Sequence, residues 1–292
     1  MSTNENDVIL KKRILFFLAI CFGLTWIYEF TVIRNISAVK NDLLKQVLSV
    51  CGMYFPLIAH LCTRFITKEN FNLSGDESLM LKLNHKKILW LLVAMLLPYI
   101  YCDIGNTILV LSYPKLLLSK SLCRTFGISA GSIASNVGKR IIMSLLFALV
   151  AIGEESGFRG YMMPKLMKLF GTGKAVIVGG TIWGLWHLPL ICMGQNFGTE
   201  YPGYPFLGIL LMTVNCICAG SVLTFLTIKS KSIWPAAVMH AVNNSNPGII
   251  ALLLNTHELG KMNTILMAVI KLIPICIMGI VCILVMGKDR EE

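Results

Sequence analysis

The sequence predicts an all-α polytopic membrane bundle of about eight transmembrane helices, and three observations carry that expectation. Hydrophobic residues make up 55% of the 292-residue chain and charged residues 14%, with a mean hydropathy of +0.72, whereas a soluble domain has roughly 25% charged residues. Apolar stretches of the ~20 residues that cross a bilayer recur along the chain. The longest polar connections, around 67–87 and 113–139, are too short to fold alone, so the chain reads as a single integral-membrane domain, 1–292.

The first apolar stretch, 14–33, follows Lys11-Lys12-Arg13, the layout of a secretory signal. No small-residue cleavage site follows at 29–35, so it is expected to stay as an uncleaved first helix. Stretches 46–66 and 88–112 come next and contain Pro56 and Pro98, which are expected to kink their helices. The fourth, 140–158, ends in Glu154-Glu155 with Arg159 just beyond. The fifth, 174–193, carries Trp183, His187 and Pro189, preceded by Gly179, Gly180 and Gly184, small residues that let a neighbouring backbone approach. After the apolar 206–228, the seventh, 233–254, bears His240, Asn243 and Asn244, and 264–287 closes the series.

Charge sets the expected orientation. The flanks Lys11, Lys12, Arg13; Arg64, Lys68, Lys82, Lys86, Lys87; Arg159, Lys165, Lys168, Lys174; Lys229, Lys231; and Lys288, Arg290 outnumber those of the alternate connections, so both termini are expected in the cytoplasm. The net charge of +11 does not point to nucleic acid, because the basic residues are scattered as loop flanks rather than gathered with aromatics on one face. Contact with anionic membrane lipid accounts for them. The 10 cysteines lie mostly inside apolar runs without C-x-x-C spacing and read as small core residues. Asp103 and Asn106 are expected to form a helix-end hydrogen-bond cluster.

Ionisable residues at membrane depth are costly and mark function. Two adjacent carboxylates cannot both face lipid, so Glu154 and Glu155 require a protein or wet surrounding. Glu155 and Arg159 are one turn apart on the same face, so the guanidinium can hold that carboxylate. Glu154 lies about 100° around the helix, free for another task. His240 and Asn244 likewise share a face. Two acids, an arginine, two histidines and an asparagine on three helices form one candidate site. Ser156 has no G-x-S-x-G context for serine catalysis. A carboxylate with a histidine suits activation of water, and a second histidine with an amide suits a developing oxyanion, which together predict hydrolysis of an acyl bond, a peptide bond first. Zinc held by Glu154, His187 and His240 would leave an open position, although H-E-x-x-H is absent.

Glu154-Glu155-x-x-x-Arg159, Trp183-x-x-x-His187 and His240-x-x-x-Asn244, in that order, resemble the CAAX-protease and bacteriocin-processing (CPBP, Abi) family of intramembrane proteases, similar to type II CAAX prenyl endopeptidases. The likeness covers a core of about 140–254. It implies an eight-helix bundle with a conical cavity open to the cytosol and lipid. It also implies that Glu154 and His187 activate water, that His240 and Asn244 hold the oxyanion, and that Glu155 and Arg159 orient the first acid and the substrate. The second motif of that family usually begins with Phe, and Trp183 in its place is expected to alter packing more than chemistry. Family members are called metalloproteases, yet the eukaryotic prenyl-protein proteases resemble glutamate-dependent enzymes, so zinc stays open and is not expected to be obligatory.

The expected function is an intramembrane endopeptidase acting on a membrane-associated peptide or protein at a bacterial cell membrane, in bacteriocin or peptide-pheromone maturation or self-immunity. A non-catalytic immunity or scaffold protein that sequesters a partner is the alternative. A proton-coupled transporter fits less well, since no inverted repeat is visible.

Overall fold

In the computed structural model the described residues are 3–72, 80–82 and 87–288; Lys86 and Arg290 of the flank count lie outside them. The helices in chain order are α1 (Thr3–Thr31), α2 (Asp42–Cys51), α3 (Phe55–Ile66), α4 (Ile88–Ser112), α5 (Lys120–Thr125), α6 (Ala130–Gly157), α7 (Met163–Phe170), α8 (Thr172–Trp186), α9 (Leu188–Cys192), α10 (Phe206–Ser230), α11 (Trp234–Ser245), α12 (Thr256–Leu259) and α13 (Thr264–Lys288). Among the described residues extended chain contributes one isolated bridge, Leu117 with Leu254. The fold is all-α.

Six segments among the described residues are long and apolar enough to cross a membrane: Glu5–Ala38, Asp42–Ile66, Ile88–Ser112, Ala130–Phe170, Phe206–Ser230 and Thr264–Gly287. Leu15, Ile27, Leu96, Ile142, Phe206 and Ile277 stand on their outer faces, the surface a lipid-embedded bundle presents. The other two expected spans are shorter. α8 has 15 residues and α11 has 12, which is about 22 and 18 Å of helix against ~30 Å of hydrocarbon. In 174–193 the helix stops at His187 (φ −79°, ψ −1°), and Pro189 occupies the first turn of the new helix α9, where its missing N–H costs nothing. Pro56 likewise starts α3 rather than kinking a helix, whereas Pro98 lies inside α4. In 233–254 the residue before Pro247, Asn246, is extended (φ −123°, ψ 110°), as the proline ring requires.

Gly248 follows at φ +96°. Asp103 Oδ1 accepts from the Ile250 backbone N at 2.8 Å, and the Asn106 amide donates to the Pro247 carbonyl at 2.7 Å. The polar pair of α4 therefore pins the end of α11, as a helix-end cluster should.

Glycines seat the helices that carry the polar residues. A Cβ at Gly157 would lie 2.5 Å from Pro56 Cβ and 2.6 Å from the Pro56 carbonyl oxygen, and one at Gly153 would lie 2.9 Å from Tyr54 Cα. Thus α6 rests on the start of α3 through the two residues that bracket the acids. Gly180 and Gly184 do the same for α8 on α10, with Cβ positions 2.5 Å from the Cα atoms of Ile217 and Thr213. This is the close approach expected of small residues between membrane helices. Gly179 instead meets the flexible end of Met163. α11 packs against both α6 and α4, which closes the ring.

The two ends of the bundle are tied by different contacts. At the first, Ile233 N donates to Met80 O at 3.1 Å and Lys87 Nζ to Lys231 O at 2.9 Å, joining the 67–87 connection to the α10–α11 turn beside the chain termini. At the second, Asn255 N donates to Leu116 O at 2.7 Å and Arg140 Nη1 to Ser245 O at 3.0 Å.

Candidate functional site

α6 continues through a π-helical turn, Phe158–Met162, into α7. Such turns insert an extra residue and recur at functional sites; here the insertion follows the paired acids and carries Arg159. Glu154 and Glu155 are 3% and 0% exposed, and they diverge. Glu155 Oε1 accepts from His240 Nδ1 at 2.7 Å and from Arg159 Nη1 at 3.2 Å. Gly220 makes room for that guanidinium, since a Cβ there would lie 3.1 Å from Arg159 Nη2. Arg159 also stands over the Trp183 ring, its Cζ 3.9 Å from the centroid, a contact that favours a cation.

Glu154 turns the other way. Its Oε2 accepts the indole N–H of Trp183 at 3.0 Å, leaving Oε1 for another donor. Trp183 also presents its main-chain carbonyl to His187 Nδ1 at 2.9 Å. A carbonyl can only accept, so Nδ1 carries the proton and the neutral ring keeps its lone pair on Nε2. One tryptophan therefore orients both the acid and the imidazole. The packing role expected of Trp183 is corrected: a phenylalanine has no N–H for Glu154.

A cavity of about 1270 Å³ is lined by Glu154, His187, His240 and Asn244, together with Trp183 and Asn243. His240 has committed Nδ1 to Glu155, so Nε2 is its remaining ring nitrogen. Asn243 is fixed by a hydrogen bond from the Tyr101 hydroxyl, and its own amide donates to Asn244 Oδ1 at 3.2 Å. That contact orients the Asn244 amide with its N–H groups away from Asn243. Glu155 and Arg159 do not line the cavity; they sit behind His240 and Trp183. The cavity wall runs on to Ile33, Arg34 and Ser37 after α1 and to Met193–Asn196 after α9, both at the end of the bundle opposite the termini.

Other nucleophiles are held inert by their neighbours. Cys216 Sγ is 4.0 Å from His187 Nδ1, but that nitrogen is protonated and cannot take a thiol proton. Ser156 Oγ is 3.0 Å from His60 Nδ1. Arg64 Nε donates to His60 Nε2 at 2.6 Å, so the proton of a neutral His60 is on Nδ1, facing the serine, and the ring is no base for it. Among the described residues no three His, Cys, Asp or Glu side chains gather as a metal-holding group, while the hydrogen-bonded Nδ1 atoms of His187 and His240 leave Nε2 of each as the ring nitrogen open to a ligand.

Sequence reasoning passed over three features. Glu29 of α1, 3% exposed, lines the same cavity; the signal was a carboxylate near the end of the first apolar run. Cys216 and Asn215 of α10 line it too, without any motif to mark them. The third is a buried polar cluster behind the acids. Glu69 accepts from the Tyr161 hydroxyl at 2.6 Å and pairs with Lys165 Nζ at 3.0 Å and Arg13 Nε at 3.5 Å. It braces the π-helical turn from the side opposite the cavity. Burial works against ionised Glu69, but the Tyr161 hydroxyl and the Lys165 ammonium outweigh it and hold the carboxyl below its ordinary range.

Fold and site define a polytopic all-α membrane protein whose helices enclose an acid, two imidazoles and an amide around one cavity. Residues 136–246 match the family model described as type II CAAX prenyl endopeptidase Rce1-like. Over 112 residues the chain is 31% identical to the CAAX prenyl protease 2 of Methanococcus maripaludis, an overlap of 38% of this chain and 41% of that protein. The chain thus spans about two fifths of the length of the curated relative it matches. The likeness to type II CAAX prenyl endopeptidases read from the three motifs is matched over this central segment.

Proposed function

We propose that the protein is an intramembrane endopeptidase that hydrolyses a peptide bond of a membrane-associated peptide or protein. The observation that carries this reading is the pair of vacant acceptors left by Trp183: Glu154 Oε1 and, on neutral His187, Nε2, both lining one cavity. A water placed between them donates one hydrogen to each. Glu154 takes a proton as the water oxygen attacks the carbonyl carbon; the oxyanion so formed is met by the Asn244 amide and by Nε2–H of His240 as the imidazolium, whose Nδ1–H is held by Glu155. The proton then passes to the departing amine as the C–N bond breaks. Glu155 and Arg159 position His240 and Trp183, and touch no reacting atom. The match to the type II CAAX prenyl endopeptidase model and the likeness to the CAAX prenyl protease 2 of Methanococcus maripaludis support a protease. No step requires a metal.

The physiological role proposed with this chemistry is maturation of a bacteriocin or peptide pheromone, or self-immunity, at the cell membrane. Purified protein offered a set of membrane-bound peptides should cleave at least one. Glu154→Gln and His187→Ala should each lower kcat by at least about 100-fold, the lower end of what a general base contributes, and chelator should leave the rate unchanged. Full activity in either variant refutes the assigned roles, and loss on chelation that added zinc restores refutes the metal-free scheme. Immunity that survives Glu154→Ala would instead support sequestration.

A further inference from the structure

The wall of the cavity contains an ionisable group for which the hydrolytic scheme has no use. Cys21, Thr25 and Glu29 lie four residues apart along one face of α1, all buried, at 0%, 0% and 3% exposure. This face is docked on the site: Trp186 Nε1 donates to Thr25 Oγ1 at 2.9 Å, and Trp26 Nε1 donates to the Trp186 carbonyl at 3.2 Å. One turn beyond Thr25, Glu29 reaches the same cavity as Glu154 and His187. Its Oε2 is buried without a hydrogen-bond partner, and among the described residues Glu29 forms no ion pair.

An isolated buried carboxylate is expensive unless something pairs with it. Among the described residues no cation pairs with Glu29. Arg159 does not line the cavity and is engaged by Glu155, and Arg34 stands at the exposed rim. Two acids, Glu29 and Glu154, thus face an interior whose deep basic lining residues are His187 and His240, the latter held by Glu155. A group that enters with a positive charge gains from both acids; a neutral group of equal size lacks that gain.

We propose that Glu29 is a specificity subsite for a cationic group, an ammonium or guanidinium, carried by the peptide close to the bond that is cut. The subsite rests on the protease reading for its biological meaning, while its affinity for a cation does not. Glu29 lies on α1, outside the segment 136–246 that matches the family model.

Two measurements test it. Thermal unfolding of the purified protein in detergent is followed with octylguanidinium and with octanamide, its neutral counterpart. The wild type should be stabilised saturably by the cation and not by the amide, and Glu29→Gln should weaken that binding by about 10- to 100-fold, as for loss of a charged hydrogen bond. Equal stabilisation by the two probes, or undiminished cation binding in Glu29→Gln, overturns the proposal. Should Glu29→Gln not fold, the wild-type comparison and Glu29→Asp, which withdraws the charge by one methylene and should bind more weakly, still decide it. In peptide pairs that differ only by Lys or norleucine beside the cut, the Lys preference in kcat/KM should collapse in Glu29→Gln, and a preference that persists refutes the subsite. If no peptide is cut, the protease reading falls while the probe result still stands.

Discussion

Replacing Trp183 by Phe removes one indole N–H and keeps an aromatic ring beneath the Arg159 guanidinium. The lost contact is the 3.0 Å hydrogen bond to Glu154 Oε2; the main-chain carbonyl that holds His187 Nδ1 is untouched. Hydrogen bonds to a charged partner are worth about 1.5–3 kcal/mol, and that energy here goes into holding the carboxylate that receives the water proton. If all of it is expressed at the chemical step, kcat should fall by about 10- to 100-fold. KM should change little, because the ring still fills its place. The assay is steady-state cleavage of the best wild-type peptide, with a melting curve to show that the variant is folded. A folded Trp183→Phe protein whose kcat stays within about threefold of wild type would refute the claim that this indole orients the acid.

Gly157→Ala should lower the unfolding temperature, since its Cβ would sit 2.5 Å from Pro56 Cβ and overpacking costs about 1–3 kcal/mol; Gly138→Ala, with nothing within 4 Å, is the control, and equal melting of the two refutes the seat. Glu69, held below its ordinary range, stabilises the fold above the unfolded carboxyl pKa of about 4.3 and loses that contribution as pH falls through its folded value. Wild type should therefore melt above Glu69→Gln at pH 7, with the gap closing on acidification below the ordinary carboxyl range; a gap independent of pH refutes it. In a cysteine-free background, an impermeant thiol reagent should reach Arg34→Cys from the membrane face opposite to that of a tag on either terminus, and labelling on the same face would refute the bundle polarity.

The polar triplets could be read from the sequence because the cost of an ionised group in an apolar run is local to that run. Glu154, His187, His240 and Asn244 stand out for that reason, and the fold brings all four to one cavity. Helix count was less legible. His187 and Ser245 end their helices through Pro189 and the Asn246-Pro247-Gly248 turn, and the apolar runs continue past both breaks, so hydropathy alone counts through them. The π-helical turn at Phe158–Met162 left no mark in the sequence, because it depends on contacts such as Tyr161 with Glu69 that arise only in the folded bundle. Glu29 was visible as a residue, but the role proposed for it depends on which face of α1 meets Trp186, and periodicity in the apolar run 14–28 is too weak to tell that.

The docking of Thr25 and Trp26 on Trp186 divides the labour of the cavity between two stretches of chain. The groups proposed for bond cleavage come from residues 154–244, whereas one wall comes from the N-terminal helix, far upstream. Exchange of that helix alone would recast what the chamber admits while leaving the cutting apparatus in place.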